Sequence, residues 1–182
     1  MERRKKENIN LIDLGDIKKL ESAFDFIFGQ MGIKSRFENL EIEVMNRTNL
    51  ISFSFKKHDE QVAVISVSDP IKQTPYLYNR DDNGIVKSIY LKFADVEEGQ
   101  EGCMTEKDAN QIISFLDHLN EADRLIVQCE AGVSRSAGIA GAIKKFIFDD
   151  DSSIFNNPSY RPNMTCYRKV LDAFYNPESY HG

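Results

Sequence analysis

The segment with the clearest chemical potential runs from residue 128 to residue 138 and reads Gln-Cys-Glu-Ala-Gly-Val-Ser-Arg-Ser-Ala-Gly. It places Cys129 directly after the apolar run 125–127, and five residues separate this cysteine from Arg135, which opens an apolar helix pattern. Backbone N–H groups in such a loop and in the first helical turn have no partners inside the helix, so they favour a bound anion. We name residues 129–135 the anion loop.

The residue types of the anion loop favour attack by sulfur on a phosphate. Arg135 can donate two parallel hydrogen bonds to phosphate oxygens, and Gly132 lets the backbone turn without a side chain in the way. The helix N-terminus and the arginine favour negative charge, so we expect a low pKa for Cys129 and a thiolate at neutral pH. Ser136 can donate a hydrogen bond to the sulfur when it leaves. Together these features predict phosphoryl transfer to Cys129.

The pattern Cys129-x5-Arg135-Ser136 resembles the phosphate-binding loop of the cysteine-dependent protein tyrosine phosphatase superfamily. Over about residues 60–175 the chain is most similar to the compact, dual-specificity-like bacterial and viral members of that superfamily. The resemblance implies hydrolysis of a phosphomonoester in two steps through a cysteinyl-phosphate, with no metal and no cofactor. It also implies that the loop binds the phosphate through Glu130, Ala131, Gly132, Val133, Ser134 and Arg135.

The resemblance further implies an aspartic acid on a separate loop, which protonates the leaving oxygen and then activates the attacking water. We expect Asp95 in this role, because it lies 34 positions before Cys129 and follows Lys92-Phe93-Ala94 at the end of a predicted strand. Four other acids in this part of the chain remain open as alternatives: Asp81, Asp82, Glu97 and Glu98.

Two residues depart from the pattern of the relatives. Gln128 stands where relatives usually have histidine, and since an amide carries no positive charge, we expect a less stabilised thiolate. Glu130 puts a negative charge inside the loop, where phosphoinositide-directed relatives tend to have lysines. This charge disfavours strongly anionic lipid headgroups and favours a phosphorylated protein or a small phosphomonoester as the substrate.

Two other functions stay open. A pseudophosphatase that binds phosphorylated partners without turnover would follow if Asp95 lies out of reach and Gln128 weakens the thiolate too far. A rhodanese-like loop that transfers sulfur would also hold a cysteine in an anion site. The five-residue gap that ends in Arg135 and Ser136 fits a phosphatase better.

Hydrophobic patterns predict the elements that position these residues. An α/β fold follows, with a central, mainly parallel, phosphatase-like sheet flanked by helices and an N-terminal helical extension. Strands are expected where apolar residues alternate or run together, at 51–55, 62–67, 89–93 and 125–127. Helices are expected at about 16–31, after a Thr105 cap, at 137–148 and after an Asn163 cap.

We divide the chain into an extension, residues 1–40, and a phosphatase-like domain, residues 41–182. The helix of the extension is amphipathic, and we expect Gly32 to end it and its apolar face to pack on the domain, with a docking surface as the alternative. The apolar residues of this face are Ile17, Leu20, Phe24, Ile27, Phe28 and Met31. Near the C-terminus, the resemblance implies that Asn163 or Arg168 supports the anion loop.

Composition narrows the class of protein further. The 182 residues include 23 Lys and Arg against 29 Asp and Glu, a net charge of −6, which argues against nucleic-acid binding. No apolar run is long enough to span a membrane. Cys103, Cys129 and Cys166 lack the spacing of a zinc site, so we expect no metal and a reducing cytoplasmic location. We also expect a monomer.

Overall fold

The computed structural model describes residues 14–78 and 83–176. Its centre is a four-stranded sheet in the order β1-β4-β2-β3, and every neighbouring pair is parallel. The predicted α/β fold is confirmed, with a sheet that is parallel throughout. The strands are β1 (Glu41–Asn46), β2 (Val62–Ser68), β3 (Ile85–Lys92) and β4 (Arg124–Cys129).

Six helices accompany the sheet in the described residues, and both faces of the sheet are covered. The main core lies between the sheet and helices α3, α4 and α6, while α2 covers the opposite face with Leu50 and Phe53. Alternate residues of the central strands face the two cores, so these strands are apolar almost throughout. The helices are α1 (Leu14–Arg36), α2 (Arg47–Ser54), α3 (Glu106–Asp117), α4 (Arg135–Phe148), α5 (Ser152–Phe155) and α6 (Met164–Tyr175).

Two predicted helix caps are confirmed. The Thr105 hydroxyl accepts the N–H of Asp108 at 3.2 Å, and the Asp108 carboxylate accepts the Thr105 N–H at 2.8 Å, which together form a capping box. The Asn163 side chain accepts the N–H of Cys166 at 3.0 Å at the start of α6. Helix α4 begins at Arg135, two residues before the predicted start.

The predicted strand at 51–55 is wrong, because this segment lies in α2. The Asn46 side chain caps that helix by accepting the N–H of Asn49 at 2.8 Å. The buried side chains are Leu50, Phe53 and Ser54, which recur at helical spacing, whereas the alternation of Ile51 and Phe53 had suggested a strand. The preceding strand β1 was not predicted.

Two predictions for the N-terminal helix are also wrong. Helix α1 continues through Gly32 to Arg36, and the apolar face does not pack on the domain, since Leu20, Phe24, Ile27, Phe28 and Met31 are all exposed. The side chain of Ile17 lies outside the described residues. The contact with the domain is made instead by Ile33, Phe37 and Leu40, which belong to the main core. The end of segment 1–40 is therefore packed with segment 41–182.

None of the helices described in residues 14–78 and 83–176 is both long enough and apolar enough to cross a membrane.

Candidate active site

The carboxyl ends of the four parallel strands meet at one edge of the sheet, and each delivers a polar residue there. Arg47 follows β1, Asp69 follows β2 and Cys129 ends β4, while Asp95 lies three residues beyond the end of β3. Ligands bind at this edge in α/β sheets, because the loops that follow the strands line a common crevice.

The backbone of the anion loop is oriented by hydrogen bonds from outside it. Three of its carbonyls accept such N–H groups: Glu130 from Arg47 at 3.3 Å, Val133 from Arg161 at 3.0 Å and Ser134 from Asn163 at 3.1 Å. Since these carbonyls are turned outward, the loop can direct N–H groups inward. Amides oriented in this way form an anion-binding concavity at the start of α4.

Two glycines permit this arrangement. Gly132 has a φ of +67°, and a Cβ there would lie 2.6 Å from the backbone nitrogen of Asn46. Only glycine satisfies both the left-handed backbone and the close approach to β1. Gly138, in the first turn of α4, lets the backbone at Asn163 pack directly against that helix.

Cys129 lies at the bottom of the loop and is 2% exposed. Burial raises the pKa of this thiol, but hydrogen bonds to the sulfur outweigh burial, and the net pKa is lowered. The Ser136 hydroxyl lies 3.0 Å from the Cys129 sulfur, and the backbone N–H of Ser136 contributes as well. The N–H groups of Val133 and Gly132 complete the set. The pKa of Cys129 is therefore lowered by the loop and by the first turn of α4, the direction expected from the sequence.

Arg135 is held by one end of its guanidinium. Its Nη1 donates to the Asp69 carboxylate at 2.9 Å and to the Phe93 carbonyl at 2.7 Å. The side chain is 4% exposed, and its Nε is buried with no hydrogen-bond partner in the described residues. Because a buried N–H without an acceptor is costly, this nitrogen is suited to bind an oxyanion.

The negative charge of Glu130 is compensated by two cations. Its carboxylate lies 2.9 Å from the Arg47 guanidinium and 3.4 Å from the Lys72 ammonium. Lys72 also lies 3.5 Å from Asp69, the carboxylate that holds Arg135. The loop therefore does not present the free negative charge expected from the sequence, and the exclusion of strongly anionic substrates no longer follows from Glu130.

Asp95 lies against the anion loop. Its Oδ1 accepts hydrogen bonds from the Ser134 hydroxyl at 2.7 Å and from the Asn163 amide at 2.9 Å. The Asn163 amide also donates to the Val96 carbonyl at 3.2 Å, so the segment that carries Asp95 is attached to the start of α6.

Neither of the two alternative acids that the structure describes, Glu97 and Glu98, contacts the anion loop. Glu98 is paired with Lys169 at 3.2 Å, and no contact between Glu97 and the loop is found in the described residues. Asp81 and Asp82 lie outside the described part of the chain. Of the five candidate acids, Asp95 is the one for which the described residues show a contact with the anion loop.

Two buried residues complete the surroundings of the nucleophile. Gln128 accepts a hydrogen bond from the Ser66 hydroxyl at 2.7 Å through its Oε1, and its Nε2 is buried without a partner in the described residues. Burial raises the pKa of Cys166 on α6, which keeps this second thiol neutral beside the site.

Sequence analysis missed the supporting residues Asp69, Arg47 and Lys72. The signal for Asp69 was its place directly after the central strand β2, at the edge where the other strand ends deliver their polar residues. Of the two predicted supports near the C-terminus, Asn163 contacts the loop and Asp95. Arg168 is exposed on α6, and no contact with the loop is found for it in the described residues.

No model of a protein family and no curated protein matches this chain.

Proposed function

We propose that the protein hydrolyses phosphomonoesters through a phosphorylated intermediate on Cys129. The substrate class that we propose is phosphorylated tyrosine, serine or threonine in proteins, because the loop sequence resembles that of tyrosine and dual-specificity phosphatases. The observation that carries the proposal is the unpartnered, buried Nε of Arg135 in the same loop as a thiol of lowered pKa. A tetrahedral phosphate supplies the acceptor for this nitrogen and an electrophile for the sulfur.

In the first step, the Cys129 thiolate attacks phosphorus and the bond from phosphorus to the ester oxygen breaks. Arg135 and the amides of the loop stabilise the charge on the equatorial oxygens. Asp95, in its protonated form, donates its proton to the leaving oxygen. The products of this step are the free alcohol and a cysteinyl-phosphate.

In the second step, water attacks the cysteinyl-phosphate and Asp95 takes a proton from that water. The bond between sulfur and phosphorus breaks, inorganic phosphate is released and the thiolate returns. Ser136 assists because its hydroxyl, 3.0 Å from the sulfur, stabilises the leaving thiolate.

The positions of the supporting residues agree with this cycle. Ser134 and Asn163 hold Asp95 at the mouth of the loop, which favours proton transfer over the mere binding of a phosphorylated partner. Sulfur transfer by a rhodanese-like loop would not need this acid. A thiolate nucleophile survives in a reducing compartment, which supports the cytoplasmic location expected from the sequence.

The proposal is tested by measuring the hydrolysis of p-nitrophenyl phosphate by wild type, Cys129→Ser and Cys103→Ser. Wild type is expected to turn over the substrate, and Cys129→Ser is expected to lose turnover because a serine hydroxyl at this place remains protonated. Cys103→Ser is the matched control, since Cys103 is a free, partly exposed cysteine for which no contact with the loop is found in the described residues. This control is expected to behave as wild type.

Two results would contradict the proposal. Turnover that persists in Cys129→Ser would show that another group is the nucleophile. Binding of a phosphopeptide by wild type without any turnover would assign the pseudophosphatase function instead.

A further inference from the structure

The N-terminal part of α1 projects from the domain as an isolated helix. Every side chain described between Lys18 and Phe28 is exposed. Attachment to the domain begins only at Gln30, whose amide donates to the Phe174 carbonyl, and continues with Ile33 in the core. From Leu14 to Gly29 the projecting helix is about 24 Å long.

This projecting segment carries the apolar stripe, which we define as Leu20, Phe24, Ile27, Phe28 and Met31. These side chains are between 49% and 66% exposed. Four of them follow the alternating steps of four, three and four residues that mark the a and d positions of a heptad: Leu20, Phe24, Ile27 and Met31. Such spacing is typical of a helix that packs lengthwise against another helix.

The described part of the domain does not cover the apolar stripe. Successive helical residues are rotated by about 100°, so Ile33, which packs on the domain, lies about 160° around α1 from the centre of the stripe. Because α1 is continuous through Arg36, the stripe faces away from the domain.

A helix of this kind requires a partner. Isolated helices shorter than about 12–15 residues are marginal in water even when rich in alanine, and the projecting part of α1, from Leu14 to Gly29, is little longer. Gly29 and Gly32 each cost a further ~1 kcal/mol relative to alanine. Between Leu14 and Gly29 the segment carries Lys18 and Lys19 against three acids, Asp16, Glu21 and Asp25, a net charge of −1. It therefore lacks the excess of basic residues with which an interfacial helix binds an anionic membrane.

We propose that the apolar stripe is the dimerisation surface of the protein and that its occupant is α1 of a second copy. The five side chains expose on the order of 100 Å² each, so two facing helices that cover them completely remove about 1,000 Å² from water, which is the lower limit for a specific interface. An antiparallel arrangement places the two domains at opposite ends of the helix pair and avoids a collision. This proposal departs from the monomer expected from the sequence and does not depend on the proposed function.

Light scattering coupled to size-exclusion chromatography, over a series of protein concentrations, tests the proposal with the full chain. Wild type is expected to have twice the monomer mass of 20.9 kDa. Ile27→Asp is expected to weaken dimerisation at least a hundredfold, because two carboxylates would be buried in an apolar contact. Lys18→Asp introduces the same residue on the opposite side of the helix, at an exposed position, and is expected to remain dimeric.

Other outcomes would overturn the proposal. A wild type that stays monomeric at every concentration would show that the apolar stripe does not self-associate. An Ile27→Asp variant that remains dimeric would place the interface elsewhere. Flotation of wild type, but not of Ile27→Asp, with phosphatidylserine vesicles would assign the stripe to a membrane surface. Thermal unfolding followed by circular dichroism ensures that the variants are compared as folded proteins.

Discussion

Asn163 has two separable tasks, and replacing it with aspartate removes only one of them. Its Oδ1 caps α6 by accepting the N–H of Cys166, and its Nδ2 donates to Asp95 at 2.9 Å. Asn163→Asp keeps a carboxylate oxygen for the cap, since aspartate and asparagine cap helices about equally well. It removes the donor to Asp95 and places a second negative charge beside that carboxylate.

The size of the effect follows from the contacts of Asp95. In Asn163→Asp, Asp95 keeps the hydrogen bond from Ser134 at 2.7 Å and loses the one from Asn163. At this exposed site we expect the lost hydrogen bond to raise the activation free energy by about 1.4 kcal/mol, which is roughly tenfold in rate.

The assay compares kcat/KM for two substrates across pH. Phenyl phosphate needs protonation of its leaving oxygen, and its kcat/KM at the optimum is expected to fall about tenfold in Asn163→Asp. p-Nitrophenyl phosphate has a leaving group that departs as the anion, so its value is expected to change less than about twofold. Asn163→Ala serves as the comparison, since it is also expected to lose about 1 kcal/mol of unfolding free energy with the cap.

An equal loss on both substrates would refute this reasoning, because it would show that Asn163 acts on the loop rather than on the acid.

Three further predictions concern residues in the anion loop or in contact with it. Asp69→Asn is expected to lower kcat/KM for p-nitrophenyl phosphate about tenfold, because the buried guanidinium loses its anionic partner while a neutral acceptor of the same shape remains. Ser136→Ala is expected to raise the pKa of Cys129, measured as a shift of the iodoacetamide alkylation profile to higher pH. Gly132→Ala is expected to destabilise the fold by about 2 kcal/mol or more in urea unfolding. Gly99→Ala, with a φ of +85° but no atom within 4 Å of the new Cβ, is expected to cost only the backbone strain of about 1 kcal/mol.

Each of these has a contrary result. Unchanged activity in Asp69→Asn would mean that the Phe93 carbonyl alone positions Arg135. An unchanged alkylation profile in Ser136→Ala would show that the backbone amides alone lower the pKa of Cys129. Equal destabilisation by the two glycine replacements would remove the packing argument for Gly132.

The parts of the site that are local in sequence could be predicted. Cys129, Arg135 and Ser136 lie in one strand-loop-helix segment, where the spacing itself determines that side chains and amides converge. Asn163 could be predicted as a helix cap, because capping is also decided within a few residues. Its second contact, with Asp95, depends on the packing of α6 against the loop.

The supporting residues could not be predicted, because they come from other strands. Asp69 reaches Arg135 only because β2 pairs with β4 in a register that brings their ends together, and register is not visible in one sequence. Arg47 could be placed at the site only with strand β1 and helix α2 correctly assigned, because it follows the strand and begins the helix. That segment was misassigned because apolar residues two apart also fit a short helix when a cap such as Asn46 is present.

Trapping the covalent intermediate tests the proposed chemistry most directly. In Asp95→Asn the second step lacks its base, while p-nitrophenyl phosphate still reacts in the first step because its leaving group needs no proton. Rapid mixing is expected to show a burst of one p-nitrophenolate per chain by absorbance. Tandem mass spectrometry of the quenched protein is expected to find a phosphoryl group on Cys129. No burst with an unmodified Cys129, or a phosphoryl group on any other residue, would contradict the account.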